Sequence, residues 1–159
     1  MTDRSTQPRI ATPRIRIEAP ALRESAPLFS TAVQAYLVEG LGRSATDPET
    51  VHVRLAITEA ITNVIRHGFA DGAPGWIEVE MHCHESELVT VISDDGKRFN
   101  PRDSQHVKLP SPEELREGGY GLGILFRVMD DVEHSWSGGN RLTLRKRLNC
   151  GGEESEHRA

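Results

Sequence analysis

The stretch that decides the fold is LAITEAITNVIRHG, residues 55–68. Its apolar residues recur at helical spacing, which predicts an amphipathic helix with one face on a core. This apolar stripe consists of Ile57, Ile61 and Val64. Glu59 and Asn63 are four residues apart, so they project from another face of the helix, one turn from each other. Such a pair is typical of a solvated polar face, so a functional interpretation depends on the segments that follow.

Two later segments favour the functional interpretation over a solvated polar face. They are ISDDGKRFNP, residues 92–101, and GGYGLGIL, residues 118–125. Glycine weakens a helix by about 1 kcal/mol relative to alanine, so four glycines at a helix start indicate a close approach of the backbone. Free N–H groups and the helix dipole attract anions at that end. Together with the proline-rich stretch before it, the second segment predicts a phosphate lid, with an ordinary glycine linker as the alternative.

The rest of the chain predicts one-faced strands and amphipathic helices. Alternating apolar and polar residues predict strands at residues 14–18, 76–84, 88–93, 132–136 and 142–148. One helix is expected after the N-cap Ser25, and a second from Asp47 and Pro48 to Gly68. One-faced antiparallel strands with amphipathic helices predict the α/β (α+β) class: a two-layer sandwich with helices on one face of a mostly antiparallel sheet.

Composition predicts a single soluble domain. We expect it to span residues 10–149, between flexible tails at residues 1–9 and 150–159 that lack an apolar period. The net charge of −5 provides no basic field for nucleic acid, and the chain has no apolar run long enough for a membrane span. A cytoplasmic location is therefore expected, with Cys83 and Cys150 as free thiols in a reducing compartment.

Three histidines are interpreted as structural or solvated. His67 falls in the last turn of the predicted helix, where a positive charge is favoured. His82 and His84 share one face of a predicted strand and could ligate a metal, but a solvated face is the favoured interpretation because no third ligand lies nearby in sequence.

The three motifs, in this order, resemble the boxes of the GHKL ATPase superfamily. ITEAITNVIRHG is similar to the N box, DDGKRF to the first glycine box and GGYGLGIL to the second. The resemblance is nearest to anti-sigma factor serine kinases of the RsbW type, whose N box reads E-A-x-x-N-x-x-x-H-G, and it covers residues 14–148. It implies the Bergerat ATP-binding fold, with ATP and Mg²⁺ bound.

The resemblance also implies roles for individual residues. Glu59 would be the general base in phosphoryl transfer, and Asn63 would hold Mg²⁺ through its amide oxygen. Asp94 would accept a hydrogen bond from the adenine amino group, with Gly96 allowing the backbone to pass close to the base. The remaining nucleotide-binding residues would come from the second glycine box: Gly119, Gly121, Leu122 and Gly123.

Two positions depart from the family pattern. The full first box reads D-x-G-x-G, and Arg98 replaces its second glycine, which bears on the first hinge of the lid and on nucleotide binding. Lys97 and Arg98 are expected in solvent, with a phosphate contact as the alternative. Asn140 stands about where many relatives have a threonine near the adenine, and no contact is expected there.

The function implied is an ATP-dependent serine-protein kinase that doubles as an anti-sigma factor. Its partners would be a sigma factor or another regulatory target and a STAS-type anti-anti-sigma domain whose serine it phosphorylates; a homodimer is also implied. One alternative is a nucleotide-gated regulatory binding module with little or no transfer activity. Another is a detached histidine-kinase catalytic domain, which is disfavoured because no pair of long helices precedes it. Walker A, H-R-D and D-F-G signatures are absent from the sequence.

Overall fold

The structure is a computed structural model that describes residues 13–69, 73–104, 121–148 and 150, without the side chains of residues 103 and 104. Five strands form one antiparallel sheet in the order β1-β2-β3-β5-β4. The strands are β1 (Arg14–Pro20), β2 (Trp76–His84), β3 (Glu87–Asp94), β4 (Asp131–Trp136) and β5 (Asn140–Arg147). The α-helices are α1 (Ala26–Ala35), α2 (Pro48–His67) and α3 (Gly121–Val128).

The core lies between the helices and one face of the sheet. Alternate residues of β2, β3 and β5 are buried in the same cluster as the apolar residues of the three helices. Ile57 and Ile61 are fully buried, as the stripe in α2 predicts, whereas Val64 is half-buried. The predicted two-layer α/β sandwich is confirmed. Among the described helices, none is long and apolar enough to cross a membrane.

The start of α2 is fixed by Asp47, the predicted N-cap. Asp47 Oδ2 accepts hydrogen bonds from the backbone N–H and the hydroxyl of Thr50, both at 3.0 Å. The Thr50 amide holds the pKa of the Asp47 carboxyl below its ordinary value. Arg43 donates to the same Oδ2 at 2.9 Å, so an ion pair also forms at this N-cap. In contrast, Ser25 occupies the N-cap position of α1 but makes no side-chain capping bond.

The β2–β3 hairpin sets the position of β3, the central strand of the sheet. Its turn consists of Glu85 and Ser86, both with positive φ, the twist that matches two antiparallel strands. Strand β3 then pairs with β5, so that Asp94 at the end of β3 lies opposite Asn140 at the start of β5. This pairing joins segments that are distant in sequence, because β4 precedes β5 in the chain and lies outside it in the sheet.

The prediction of two free thiols is wrong. The structure pairs Cys83 with Cys150 in a disulfide, with a Cα–Cα separation of 6.2 Å that suits such a bond. Cys83 is buried on the core face of β2, and Cys150, which the sequence assigns to a tail, packs against the core just beyond β5. The sequence did not reveal the pair because 67 residues separate the two cysteines and only the sheet brings them together.

Because of this disulfide, we expect the stability of the fold to depend on redox conditions. A cross-link over a separation of 67 residues stabilises the fold by about 4 kcal/mol in the chain-entropy account. Adding dithiothreitol should therefore lower the melting temperature of the wild-type protein. The Cys150→Ser variant should melt at the lower temperature with or without reductant. Thiol titration of the denatured, unreduced protein provides the control, and two free thiols per chain would contradict the pairing.

Thr90 offers a second test of the core. Its side chain is 1% exposed, and its hydroxyl has no hydrogen-bond partner among the described residues. Valine has the same shape without the hydroxyl, so Thr90→Val should raise the free energy of unfolding by about 1 kcal/mol. Thr50 is the matched control, because its hydroxyl bonds to Asp47 and Arg43. Thr50→Val should lower stability by a similar amount in urea denaturation, and a gain there would contradict the capping interaction.

Candidate functional site

A partly open cavity, whose empty space of about 450 Å³ includes adjoining solvent, lies between α2, the start of α3 and the sheet. Its wall on α2 is formed by Ala60, Asn63, Val64 and His67. The sheet contributes Asp94, His134, Asn140 and Leu142, and the remaining wall is Gly68, Lys97, Phe99, Pro101, Leu122 and Leu125. Most of this lining is apolar, and its two buried polar side chains, Asp94 and Asn140, lie at the end of β3 and the start of β5. The cavity therefore suits a flat, mainly apolar group with a polar edge.

Asp94 is the buried carboxylate of this cavity. It is 4% exposed, and its Oδ1 accepts hydrogen bonds from the Gly96 backbone N–H and from Asn140 Nδ2, both at 2.9 Å. Burial raises the pKa of Asp94, while these two hydrogen bonds act in the opposite direction. Its Oδ2 accepts none of the hydrogen bonds found within the described residues, which leaves an acceptor for a donor group in the cavity.

Gly96 lies where a side chain cannot fit. A Cβ at this position would be 2.4 Å from the Gly68 carbonyl oxygen and 2.9 Å from Asp94 Oδ1. The backbone N–H of Lys97 also donates to the Gly68 carbonyl at 2.7 Å. The end of α2 and the segment after β3 are therefore in direct contact, and the glycine is needed for that approach.

Asn140 connects Asp94 to the segment that follows β3. It is 7% exposed, and its Nδ2 donates to Asp94 Oδ1 at 2.9 Å and to the Lys97 carbonyl at 2.7 Å. Its Oδ1 accepts from the Phe99 backbone N–H at 3.0 Å and lies 2.9 Å from His134 Nε2. The sequence prediction concerned only a contact between Asn140 and the adenine, and it did not anticipate the hydrogen bonds that Asn140 makes within the described residues.

Glu59 and Asn63 face the beginning of α3. A Cβ on Gly121 would lie 2.7 Å from Glu59 Oε2 and 3.2 Å from Asn63 Nδ2. Both side chains are half-buried, and Asn63 also lines the cavity. The carboxylate and the carboxamide predicted to act together therefore lie side by side against Gly121 at the start of α3, and at such a helix end backbone N–H groups lack intrahelical partners.

The other predicted site residues fall into three groups. Leu122 lines the cavity, and Gly123 lies in the first turn of α3. Gly119 lies outside the described residues. Lys97 and Arg98 are both exposed, as the favoured interpretation predicts, and Lys97 also borders the cavity.

The described residues contain no group of three or more histidine, cysteine, aspartate or glutamate side chains able to hold a metal. His84 is exposed, and His82 is half-buried with its pKa lowered mainly by burial.

The donors beside Gly121 are one carboxylate and one amide. These hard oxygen ligands fit an ion that keeps water and phosphate oxygens as its other ligands, as Mg²⁺ does.

His134 was also missed by sequence reasoning. It is half-buried on β4 and reaches the cavity only through the β4–β5 pairing, which places it beside Leu142. A signal for Asn140 existed in the sequence, since an asparagine at the start of an apolar, inward-facing strand is unusual. Its partner on β3 could not be identified without the strand order.

Comparison with known proteins identifies the family. Residues 19–146 match the family described as "Histidine kinase-like ATPase domain". The chain is 30% identical over 141 residues to "Serine-protein kinase RsbW" of Bacillus licheniformis, an alignment that covers 85% of this chain and 86% of that protein. It is 32% identical over 102 residues to the Listeria innocua protein of the same name, covering 61% of this chain and 65% of that protein.

A third relative has a different name. "Anti-sigma F factor" of Clostridium novyi is 29% identical over 113 residues, which cover 66% of this chain and 78% of that protein. The motifs quoted from the sequence, the two-layer fold and these matches agree with one another. The chain therefore belongs to the histidine kinase-like ATPase domain family, as an RsbW-like member of the GHKL superfamily.

Proposed function

We propose that residues 10–149 form an ATP-binding kinase domain that phosphorylates a serine of a STAS-type anti-anti-sigma partner and acts as an anti-sigma factor. The observation that carries this proposal is a cavity lined by Asp94, whose Oδ2 accepts no hydrogen bond within the described residues, and by Asn63, which lies with Glu59 beside the start of α3. The names of the relatives support the kinase and anti-sigma roles. ATP is the substrate in this proposal.

The adenine would occupy the cavity. Its amino group would donate to Asp94 Oδ2, because Oδ1 already accepts two hydrogen bonds. The apolar walls, including Val64, Leu122 and Leu125, would contact the ring faces and exclude water. The nucleotide would therefore be selected by one buried acceptor, since a site that hydrogen-bonds a ligand donor rejects analogues that lack it.

The triphosphate would lie toward Glu59, Asn63 and the N-terminus of α3. Asn63 would hold Mg²⁺ through its amide oxygen, and the ion would neutralise charge on the phosphate oxygens during transfer. Glu59 would accept the proton of the attacking serine hydroxyl. Backbone N–H groups of Gly119, Gly121 and Gly123 would donate to phosphate oxygens.

The partner exchange follows from charge. A phosphoserine carries about −1.5 to −2 charges at neutral pH. Placed in the interface with this acidic protein, which has a net charge of −5, it would weaken binding of the phosphorylated partner. The unphosphorylated partner would then be the form that competes with a sigma factor for the domain.

Nucleotide binding gives the first test of this proposal. Mg-ATP at about 100 times its dissociation constant should stabilise the fold by about 2.7 kcal/mol, which differential scanning fluorimetry detects as a rise in melting temperature. Asp94→Asn should weaken ATP binding at least tenfold, because an amide N–H₂ would replace the acceptor that faces the ligand. The neighbouring Asp95 is exposed, so Asp95→Asn is the matched control and should bind as the wild type does. Equal loss in both variants would contradict the role of Asp94.

Phosphoryl transfer gives the second test. With γ-labelled ATP and a STAS-type partner, Glu59→Gln should keep Mg-ATP binding and lose at least 100-fold in transfer rate, since general-base catalysis contributes about that much. Glu39→Gln, at an exposed position, is the control and should leave the rate unchanged. The labelled product should survive acid as phosphoserine does, whereas an acid-labile product would indicate a histidine kinase. A partner regulated by the wild type without any transfer would instead favour the nucleotide-gated binding module.

A further inference from the structure

We infer that Asn140 is a positioning residue for nucleotide recognition: its carboxamide fixes the orientation of Asp94 and anchors the backbone on both sides of Arg98. This inference rests on the proposed nucleotide site and assigns a role to a residue that departs from the family pattern.

The hydrogen bonds of Asn140 use the whole capacity of its side chain. A carboxamide has two N–H donors and an oxygen with two lone pairs, and all four are engaged here. The two donors reach Asp94 Oδ1 and the Lys97 carbonyl, while the oxygen faces the Phe99 N–H and His134 Nε2. A flipped amide would place N–H₂ against the Phe99 donor and oxygen against two acceptors. The partners therefore determine the orientation of the amide.

This orientation also determines the proton on His134. Asn140 Oδ1 carries no hydrogen, so the contact of 2.9 Å with His134 Nε2 is a hydrogen bond only when Nε2 carries the proton. His134 is half-buried and belongs to β4, the edge strand next to β5. The carboxamide of Asn140, a residue of β5, is thus hydrogen-bonded to groups of β3, of β4 and of the segment after β3.

Asn140 also explains why an arginine can stand at position 98, where the family pattern has a glycine. The Lys97 carbonyl and the Phe99 N–H are the backbone groups that flank residue 98, and both bond to the same side chain. Among the described residues, positive φ at a non-glycine position occurs only at Glu85 and Ser86, so the backbone at Arg98 makes no demand for glycine. The Arg98 side chain is exposed, and the segment is fixed from its inner side by Asn140.

The consequence for recognition concerns Asp94. A carboxylate with two donors on Oδ1 presents Oδ2 in one defined direction, and the cavity lies beside it. Without Asn140, only the Gly96 N–H would hold Oδ1 within the described part of the chain. The carboxylate could then rotate, and the site would lose its preference for a ligand with an amino donor more than it would lose affinity in general.

Two measurements test this inference. The first compares ATP with inosine triphosphate, which carries a carbonyl oxygen in place of the amino group. Asn140→Ala should weaken ATP binding about tenfold and inosine triphosphate binding much less, so that the preference for ATP falls. In the Asp94→Asn background, Asn140→Ala should have little further effect on ATP, since the two residues act as a unit. Arg141→Ala, the exposed neighbour on the opposite face of β5, is the control and should change neither affinity.

The second measurement needs no nucleotide. Amide hydrogen exchange of Phe99 should be at least tenfold faster in Asn140→Ala than in the wild type, because its acceptor is gone. If Asn140→Ala does not fold, Asn140→Thr replaces it. A hydroxyl supplies one donor for Asp94 and an acceptor for the Phe99 N–H, so exchange and ATP preference should fall between those of the wild type and of a full loss.

Each outcome decides one part of the inference. Unchanged exchange at Phe99 would overturn the anchoring of the segment, and an unchanged ATP preference would overturn the positioning of Asp94. A uniform loss of both nucleotides with an additive effect of Asp94→Asn would also overturn it, because a purely structural role predicts that result. If the wild type binds neither nucleotide, the proposed function fails, and the exchange result alone still decides whether Asn140 anchors the segment.

Discussion

The site depends on one physical constraint, which is the burial of a carboxylate at the end of the central strand. Asp94 lies on the core face of β3, 4% exposed, where an unpaired charge would cost several kcal/mol. The surroundings offset that cost through donors from Gly96 and Asn140 on a single oxygen. Within the described residues, one oxygen of Asp94 is thus committed to the protein, and the other remains available to a ligand.

The same constraint shapes the elements around Asp94. Gly96 has to lack a side chain because its backbone passes between the Gly68 carbonyl and the carboxylate. Gly139 has the same limitation, since a Cβ there would lie 2.8 Å from the Asp94 carbonyl oxygen. The inner face of the sheet therefore ends in a polar pair, Asp94 and Asn140, instead of continuing as apolar core. Helix α2 presents Ala60, Asn63, Val64 and His67 at this level, and the space between them and the sheet is the cavity.

Local patterns were sufficient for most of the fold. The strand at residues 76–84 and the helix that begins at Asp47 were predicted at their observed bounds, because alternation and capping are properties of neighbouring residues. The β3–β5 pairing is non-local, and the features that depend on it were missed or misread. They are the disulfide of Cys83 and Cys150, the contacts of Asn140 and the position of His134. Glu59, Asn63, Asp94 and Gly96 could be named from motifs, but the hydrogen bonds that orient Asp94 follow from strand order.

The segment between Ser104 and Gly121 connects the two halves of this arrangement, and both of its attachment points are walls of the site. On one side, Phe99 and Pro101 line the cavity, and the Phe99 N–H is bonded to Asn140. On the other side, Gly121 lies against Glu59 and Asn63 while Leu122 lines the cavity. In the proposed function, a base at Asp94 and phosphates at α3 would therefore contact walls that lie on either side of this segment in the chain.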